Sequence, residues 1–229
     1  MRPVRAVLLD ALGTLVRLEP PVPRLQRELR SRLGLELDAD EVERALATEI
    51  AFYREHHLEG RDSAATAALR ARCTEVLRAA LGPPAHQVPA AQLQEALLAA
   101  LSFSPFPEVP GALEGLRAAG MRLVVVSNWD CSLHDVLADC GVAGHVDGIL
   151  TSAQVGAAKP ARAIFHHALT VAAVAAVDAV HVGDSPVEDV EGARGAGIEA
   201  VLIDREGKTA APAGVRTVRS LGELADLAA

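Results

Sequence analysis

The stretch Val7-Leu8-Leu9-Asp10-Ala11-Leu12-Gly13-Thr14-Leu15 decides how the rest of the chain is read. A short apolar run leads straight into an aspartate and then into a glycine-threonine turn. Such a run, bounded by turn residues, reads as a buried strand. Asp10 then stands at the C-terminal end of that strand, the edge at which open parallel α/β sheets hold their ligands. Two residues on, position 12 is a leucine and not a second acid.

Working outward, the strand pattern resumes only after a long interruption. From about residue 20 to residue 102 the pattern is helical. Leu25, Leu29 and Leu33 fall on one face of a helix over Pro23–Leu33. Asp38 followed by Glu41 has the form of a capping box opening a second helix through His57. A third helix is predicted from about Ser63 to Leu81, stopped by Gly82-Pro83-Pro84, and a fourth over about Ala90–Leu101.

The remainder alternates. Strands are predicted at Val4–Leu9, Arg122–Ser127, Gly148–Leu150, Ala179–Val182 and Ala200–Ile203. Helices are predicted near Gly111–Ala119, Ser132–Cys140, Ala161–Val171 and Val187–Ala196. Apolar strands alternating with helices specify a parallel sheet covered on both faces. The expected fold is therefore a three-layer, Rossmann-like α/β core built from residues 1–16 and 103–229. An all-helical cap, residues 17–102, is inserted after the first strand and is expected to lie over the strand edge as a lid.

Composition narrows the function classes. The chain has 229 residues, half of them hydrophobic, which suits one core with a modest insertion. Its net charge is −8 and it has no basic run, so nothing supports nucleic-acid binding. No apolar run is long enough to span a bilayer, and the first residues enter a strand and not a signal peptide. Cys73, Cys131 and Cys140 are odd in number and lack CxxC spacing, which argues for a reducing, cytoplasmic setting. Lys159 and Lys208 are the only lysines, which makes each informative. The oligomeric state is not legible.

Four segments fall at the predicted C-terminal strand ends: Asp10 to Thr14, Ser127-Asn128, Gly156 to Lys159-Pro160, and Gly183-Asp184-Ser185 with Asp189. A carboxylate can attack phosphorus and divide a hard displacement into two easier ones. A serine hydroxyl and a lysine ammonium can neutralise oxygens whose charge shifts in the transition state. A second acid completes a hard oxygen site for Mg²⁺. Singly, each segment also reads as a turn, a loop, a solvated helix start or a helix cap with a surface acid. Their order and shared edge are what point to chemistry.

Together the segments resemble the haloacid dehalogenase-like hydrolase superfamily, with its four motifs in order across essentially the whole chain. The helical block matches that superfamily's first-position cap. Leu123–Asp130 and Val180–Gly197 are most similar to a branch of phosphatases with few assigned substrates. The resemblance implies Asp10 as nucleophile and Lys159 as the charge clamp. It implies Ser127 as phosphate ligand, with Thr14, Asn128 and Trp129 at the substrate site. Mg²⁺ would sit on the carboxylates of Asp10 and Asp184 and the carbonyl of Leu12, with Asp189 in or near its shell. The implied partner is a small anionic metabolite.

Leu12 departs from the pattern. Phosphatases of the superfamily normally carry aspartate there, to protonate the leaving oxygen and then activate water. Such general acid–base help is worth roughly 10²–10⁴-fold. Its loss favours leaving groups that depart without a proton: acyl phosphates, aryl phosphates or halide. Haloacid dehalogenases also lack this acid, and Asp10 to Leu15 is similar to theirs. They usually replace the acid at Asp184 by serine or asparagine and carry tyrosine where Phe165 stands. A Schiff-base phosphonatase would need a cap lysine, and residues 17–102 contain none. A third reading is a degenerate member that binds a phosphometabolite with weak turnover.

Other residues carry plainer readings. Trp129 reads equally as a wall of the substrate chamber and as a packing residue. Cys131 has no local cause for a depressed pKa. His56-His57 suits a solvated helix end, while the flanking Arg54 and Arg61 are candidates for an anionic substrate tail. His166-His167 reads as surface or packing, and Glu36 to Glu43 as an exposed helix start.

Overall fold

The computed structural model describes residues 4–210 and 212–228. The chain divides into two compact units, one of Met1–Arg17 and Pro105–Ala229, the other of Leu18–Ser104. Among the described residues eight strands form: β1 Ala6–Leu9, β2 Val16–Leu18, β3 Phe103–Pro105, β4 Arg122–Ser127, β5 Gly148–Thr151, β6 Ala179–Gly183, β7 Glu199–Ile203 and β8 Arg216–Val218. Six of them make one sheet in the order β5-β4-β1-β6-β7-β8, with every pairing parallel. β2 and β3 pair separately, where the chain passes between the units.

The sheet order fixes where a ligand can sit. The chain runs from β1 to β4 and β5 on one side, then returns across β1 to build β6, β7 and β8 on the other. The C-terminal end of β1 is thus the topological switch point, where the flanking connections diverge and leave a crevice. Leu9 is in register with Val125 and Val182, so β1, β4 and β6 end side by side. All four residues of β1 are fully enclosed, as a central strand covered on both faces demands.

In the helical unit, α1 is Pro21–Leu33, α2 Ala39–His56, α3 Ser63–Leu81, α4 Pro83–His86 and α5 Ala90–Ala100. Leu25 and Leu29 are buried with Val42, Leu46, Leu77 and Leu93 in its core. The Asp38 capping box forms: the Glu41 N–H donates to Asp38 at 2.7 Å and the Asp38 N–H donates to Glu41 at 3.1 Å. Asp62, one residue before the predicted start, caps α3 by accepting from the Ala65 N–H at 2.9 Å.

In the sheet-bearing unit, α6 is Val109–Ala118, α7 Leu133–Asp139, α8 Ser152–Val155, α9 Arg162–Ala172 and α10 Gly192–Gly195. Ile164, Phe165 and Ala168 of α9 pack with Leu8, Val124 and Val126 of the sheet. α6 packs against β4 and the 3-10 helix Leu221–Ala228.

The structure corrects several of the expected elements, and it adds the short helix α8, which was not expected. The helix expected over Val187–Ala196 is a π-helical turn, Pro186–Glu191, followed by the single turn α10. Pro83-Pro84 do not only stop α3 but begin α4, where a proline lacking N–H suits the first turn. β2, β3 and β8 carry no pattern that announces them, being three residues each. β1 begins at Ala6 and not at Val4.

Candidate active site

The turn after β1 is closed by its own backbone. The N–H groups of Leu15 and Val16 both donate to the Ala11 carbonyl, at 2.8 and 2.9 Å, and Gly13 N–H donates to the Val16 carbonyl at 2.8 Å. Gly13 has φ 83°, a region L-residues avoid, and a Cβ there would lie 2.1 Å from Asp184 Oδ2. Glycine is therefore required twice over. The Asp10 N–H donates to the Val182 carbonyl at 2.9 Å, which fixes the carboxylate at the β1–β6 boundary.

The other strand ends converge on Asp10. From β4, Ser127 Oγ donates to Asp10 Oδ1 at 3.2 Å. Lys159 Nζ donates to the same Oδ1 at 2.6 Å and to Asp189 Oδ1 at 2.6 Å, from a side chain that is 1% exposed. Asn128 places that lysine: its Nδ2 donates to the Lys159 carbonyl at 3.0 Å, and the Lys159 N–H donates to Asn128 Oδ1 at 2.7 Å. The amide expected to meet substrate is thus engaged at both ends with main chain.

Asp189 enters from beneath β6. Gly183 has no side chain, and a Cβ there would lie 2.1 Å from Asp189 Cγ, so the carboxylate occupies that space. The π-helical turn widens the backbone between Pro186 and Glu191 and carries Asp189 inward, a device common at functional sites. The alternative of a surface acid is excluded, because Asp189 is buried. Its Oδ2 accepts from the Ser185 N–H at 3.0 Å, and its Oδ1 also faces His181 Nε2 at 2.8 Å.

The remaining sequence candidates take plainer places. Thr14 is enclosed, and its hydroxyl has no hydrogen-bond partner. Trp129 is 9% exposed, with its main chain stitched to Ser152 and Ala153 at the start of α8. Leu12 is 37% exposed. His166 and His167 are exposed. In the helical unit His56 Nδ1 lies 2.7 Å from Glu59 and Arg61 pairs with Asp62 at 3.6 Å, while the acidic residues of Glu36 to Glu43 are exposed.

With this geometry the comparisons with known proteins are unambiguous. The model of the haloacid dehalogenase-like hydrolase family matches residues 4–197. The chain belongs to that family. Haloacid dehalogenase-like hydrolase domain-containing protein 3 of Danio rerio is 30% identical over 217 residues, covering 89% of this chain and 86% of the relative. The Bos taurus protein of the same name is 43% identical over 91 residues, and there the match takes in 40% of this chain but 36% of the relative's length. A phosphoserine phosphatase of Thermus thermophilus is 37% identical over 133 residues, 57% of this chain and 52% of that one. Among solved structures, a phosphatase of the family from Thermococcus onnurineus superposes with a TM-score of 0.68 at 26% identity, over 98% of this chain and 97% of that one. A 2-haloacid dehalogenase from Pseudomonas syringae gives 0.69 at 27%, over the same shares.

As a haloacid dehalogenase-like hydrolase, the chain concentrates negative charge at one point. Oxygens of Asp10, Asp184 and Asp189 lie within 4.8 Å of one another. Burial raises the Asp10 carboxyl, and Lys159 only partly opposes it. Burial works against ionising Asp189 too, but Lys159 and the His181 hydrogen bond outweigh it and hold that carboxyl well below the usual range. Burial disfavours the charged Lys159, yet the two carboxylates hold its ammonium well above the ordinary lysine value. Asp184 keeps an open side, but partial burial, then Asp10 and Asp189, push it up to about 7. Three carboxylates thus share one ammonium, and the Asp184 carboxyl lies directly over the side-chain-free Gly13. Hard oxygen donors with unbalanced charge fit a small divalent cation such as Mg²⁺.

Two residues of this site carry no signal read from the sequence. Arg205, just past β7, donates from Nε to the Gly13 carbonyl at 2.9 Å and from Nη2 to the Thr14 carbonyl at 2.6 Å. Its Nη1 donates to Glu108 at 2.7 Å and its guanidinium stacks 3.4 Å from the Phe106 ring centre. Its place beyond the C-terminal end of a core strand is the clue that could have found it. His181, within β6, has no comparable marker.

Proposed function

We propose that this hydrolase is a Mg²⁺-dependent phosphatase of small anionic metabolites working through an aspartyl-phosphate on Asp10. The observation that carries the reading is the enclosed Lys159 ammonium held 2.6 Å from both Asp10 and Asp189, with Asp184 beside them. Lys159 and Ser127 both hold Asp10 Oδ1, which leaves Oδ2 as the attacking oxygen. Asp10 Oδ2 would form a bond to phosphorus while the bond to the leaving oxygen breaks, its electron pair departing with the leaving group. Lys159 and Ser127 would turn to the non-bridging oxygens, where charge shifts. Water would then attack phosphorus, break the Asp10–phosphorus bond and release inorganic phosphate, its proton passing to phosphate or solvent.

Asp10, Asp184 and the Leu12 carbonyl would hold Mg²⁺, with Asp189 next to them. When bound, the ion lowers the repulsion between the carboxylates and an anionic substrate. Leu12 offers no proton at the leaving oxygen, so the preferred substrates are those whose leaving group needs none: acyl and aryl phosphates. The same leucine favours one second reading, halide displacement from a 2-haloacid, which the 27%-identical dehalogenase structure keeps in view. Asp184 speaks against it, since a halide displacement has no use for a cation site. No helix among the described residues is long and apolar enough to cross a membrane.

The deciding experiment is a mixed panel of aryl phosphates, acyl phosphates, alkyl phosphates and 2-haloacids, assayed with Mg²⁺ and with EDTA. Phosphate release that EDTA abolishes is expected. Halide release that survives chelation would establish the dehalogenase, and Mg²⁺ binding with neither product would leave a binding protein.

A further inference from the structure

β6 reads Ala-Val-His-Val-Gly, and His181 at its centre is fully enclosed. Its strand neighbours in register are Leu8 and Ala200, and the Phe165 ring meets it edge-on at 5.1 Å and 88°. This is an apolar wall. Within it the imidazole has one hydrogen-bond partner, Asp189 Oδ1 at 2.8 Å from Nε2, while Nδ1 is buried without any. Leaving a buried polar atom without a hydrogen-bond partner is destabilising. An apolar side chain of similar size would fill this wall without that cost, so stability does not account for a histidine here.

The contacts account for it. Asp189 Oδ1 accepts from Lys159 Nζ and faces His181 Nε2, and its Oδ2 accepts from the Ser185 N–H. The carboxylate is therefore held on three sides, and the Lys159 ammonium that it holds is the one that touches Asp10. We propose that His181 is a positioning residue that, with Nε2 as donor, locks Asp189 so that Asp189 aims Lys159 at Asp10. The opposite tautomer would turn a lone pair of Nε2 toward the carboxylate and leave a donor at Nδ1 facing hydrocarbon. The role rests on the reading of Asp10 and Lys159 as the reacting pair, but the aim of Lys159 is measurable without turnover.

The two-lysine composition makes that measurement direct. The 229-residue chain carrying ¹⁵N-lysine, with Mg²⁺ present, has two side-chain ammonium groups: Lys208, 79% exposed, and Lys159, enclosed. His181→Met fills the space without a donor, and His181→Gln keeps a terminal N–H. The slowly exchanging Lys159 ammonium signal is expected to shift or broaden in the methionine variant and to stay near the wild-type position in the glutamine variant. Turnover of an aryl phosphate should follow: kcat down roughly tenfold or more for methionine, as for other outer-shell partners, KM little changed, and recovery with glutamine. An unchanged Lys159 signal in folded His181→Met overturns the proposal, as does a glutamine variant as disturbed as the methionine one. If His181→Met does not fold, ¹⁵N-histidine spectra of the wild type decide, since an unprotonated Nε2 is incompatible with the role. If the wild type turns over no phosphate, the phosphatase reading fails while the lysine spectra still judge His181.

Discussion

Replacing Lys159 with methionine tests the electrostatic core of the site without any substrate. Methionine keeps an unbranched apolar stem and removes the ammonium that sits 2.6 Å from each of two buried carboxylates. Among the described residues, Asp10 and Asp189 would then keep Ser127, His181 and the Ser185 N–H as close hydrogen-bonding partners. Deleting one partner of a buried ion pair costs about 3–5 kcal/mol, against the ~5–15 kcal/mol that holds a typical domain together. The pH dependence fixes the cause. In the wild type the Asp189 carboxyl is held below its unfolded value, so its contribution is present above about pH 4 and lost as pH falls further. In the variant the Asp189 carboxyl rises above its unfolded value, and Asp10, which burial already raises in the wild type, rises further. The folded state then binds more protons than the unfolded one, so the variant recovers stability as pH falls from 7 toward 5. Urea unfolding followed by circular dichroism in EDTA should show a loss of about 3–5 kcal/mol at pH 7, clearly smaller at pH 5, and Mg²⁺ should narrow the gap. A loss below about 1 kcal/mol at pH 7, within the range of an exposed ion pair, would refute the buried clamp.

Three further outcomes test the parts around it. Asp10→Asn should abolish turnover while the circular dichroism spectrum stays that of the wild type; retained activity on the phosphate panel would remove Asp10 as nucleophile. Mg²⁺ must displace the proton that Asp184 carries below about 7, so its affinity by calorimetry should fall roughly tenfold per pH unit on the acid side and level off above. A flat profile across that range would show that Asp184 is not a ligand. Arg205→Met removes two charged donors from the Gly13 and Thr14 carbonyls, each worth about 1.5–3 kcal/mol; thermal unfolding should drop and Mg²⁺ affinity weaken, with partial recovery in Arg205→Lys.

How far the site is legible in the sequence differs from residue to residue for physical reasons. β4 and α3 are found at their observed bounds, Arg122–Ser127 and Ser63–Leu81, because an apolar run and a long stretch of strong helix formers leave little competition. Three of the four motif segments are legible because each lies just beyond a strongly patterned strand, whereas Gly156 to Lys159 follows β5 only after the short helix α8. What fails is what depends on a side-chain contact that the local pattern does not display. The helix expected over Val187–Ala196 is instead a π-helical turn in which Asp189 lies in the space that a Gly183 side chain would fill. Asn128 looks like a substrate ligand beside Ser127, and only the return of the chain at Lys159, 31 residues later, engages its amide. His181 is one polar letter in an apolar strand, and nothing local distinguishes a buried imidazole with a carboxylate partner from one facing water.

Leu12 acts on the two half-reactions unequally, and that asymmetry is measurable. An acid at this position would serve twice, first protonating the leaving oxygen and then taking a proton from the attacking water. A leaving group that departs as a stable anion removes the need for the first service but not for the second. With an aryl phosphate, formation of the aspartyl-phosphate should therefore be fast, while its hydrolysis lacks general-base help worth roughly 10²–10⁴-fold. The intermediate should accumulate. Rapid-mixing experiments should show a burst of phenol release approaching one equivalent per active site, followed by a slow steady rate, which is the kinetic sign of a covalent intermediate. Leu12→Asp should erase the burst, raise the steady rate, and extend turnover to alkyl phosphates if the new carboxyl reaches the leaving oxygen. Linear phenol release without a burst, in a wild type that does turn over aryl phosphates, would mean that water is activated by a group other than residue 12, and the slow step would have to be sought elsewhere.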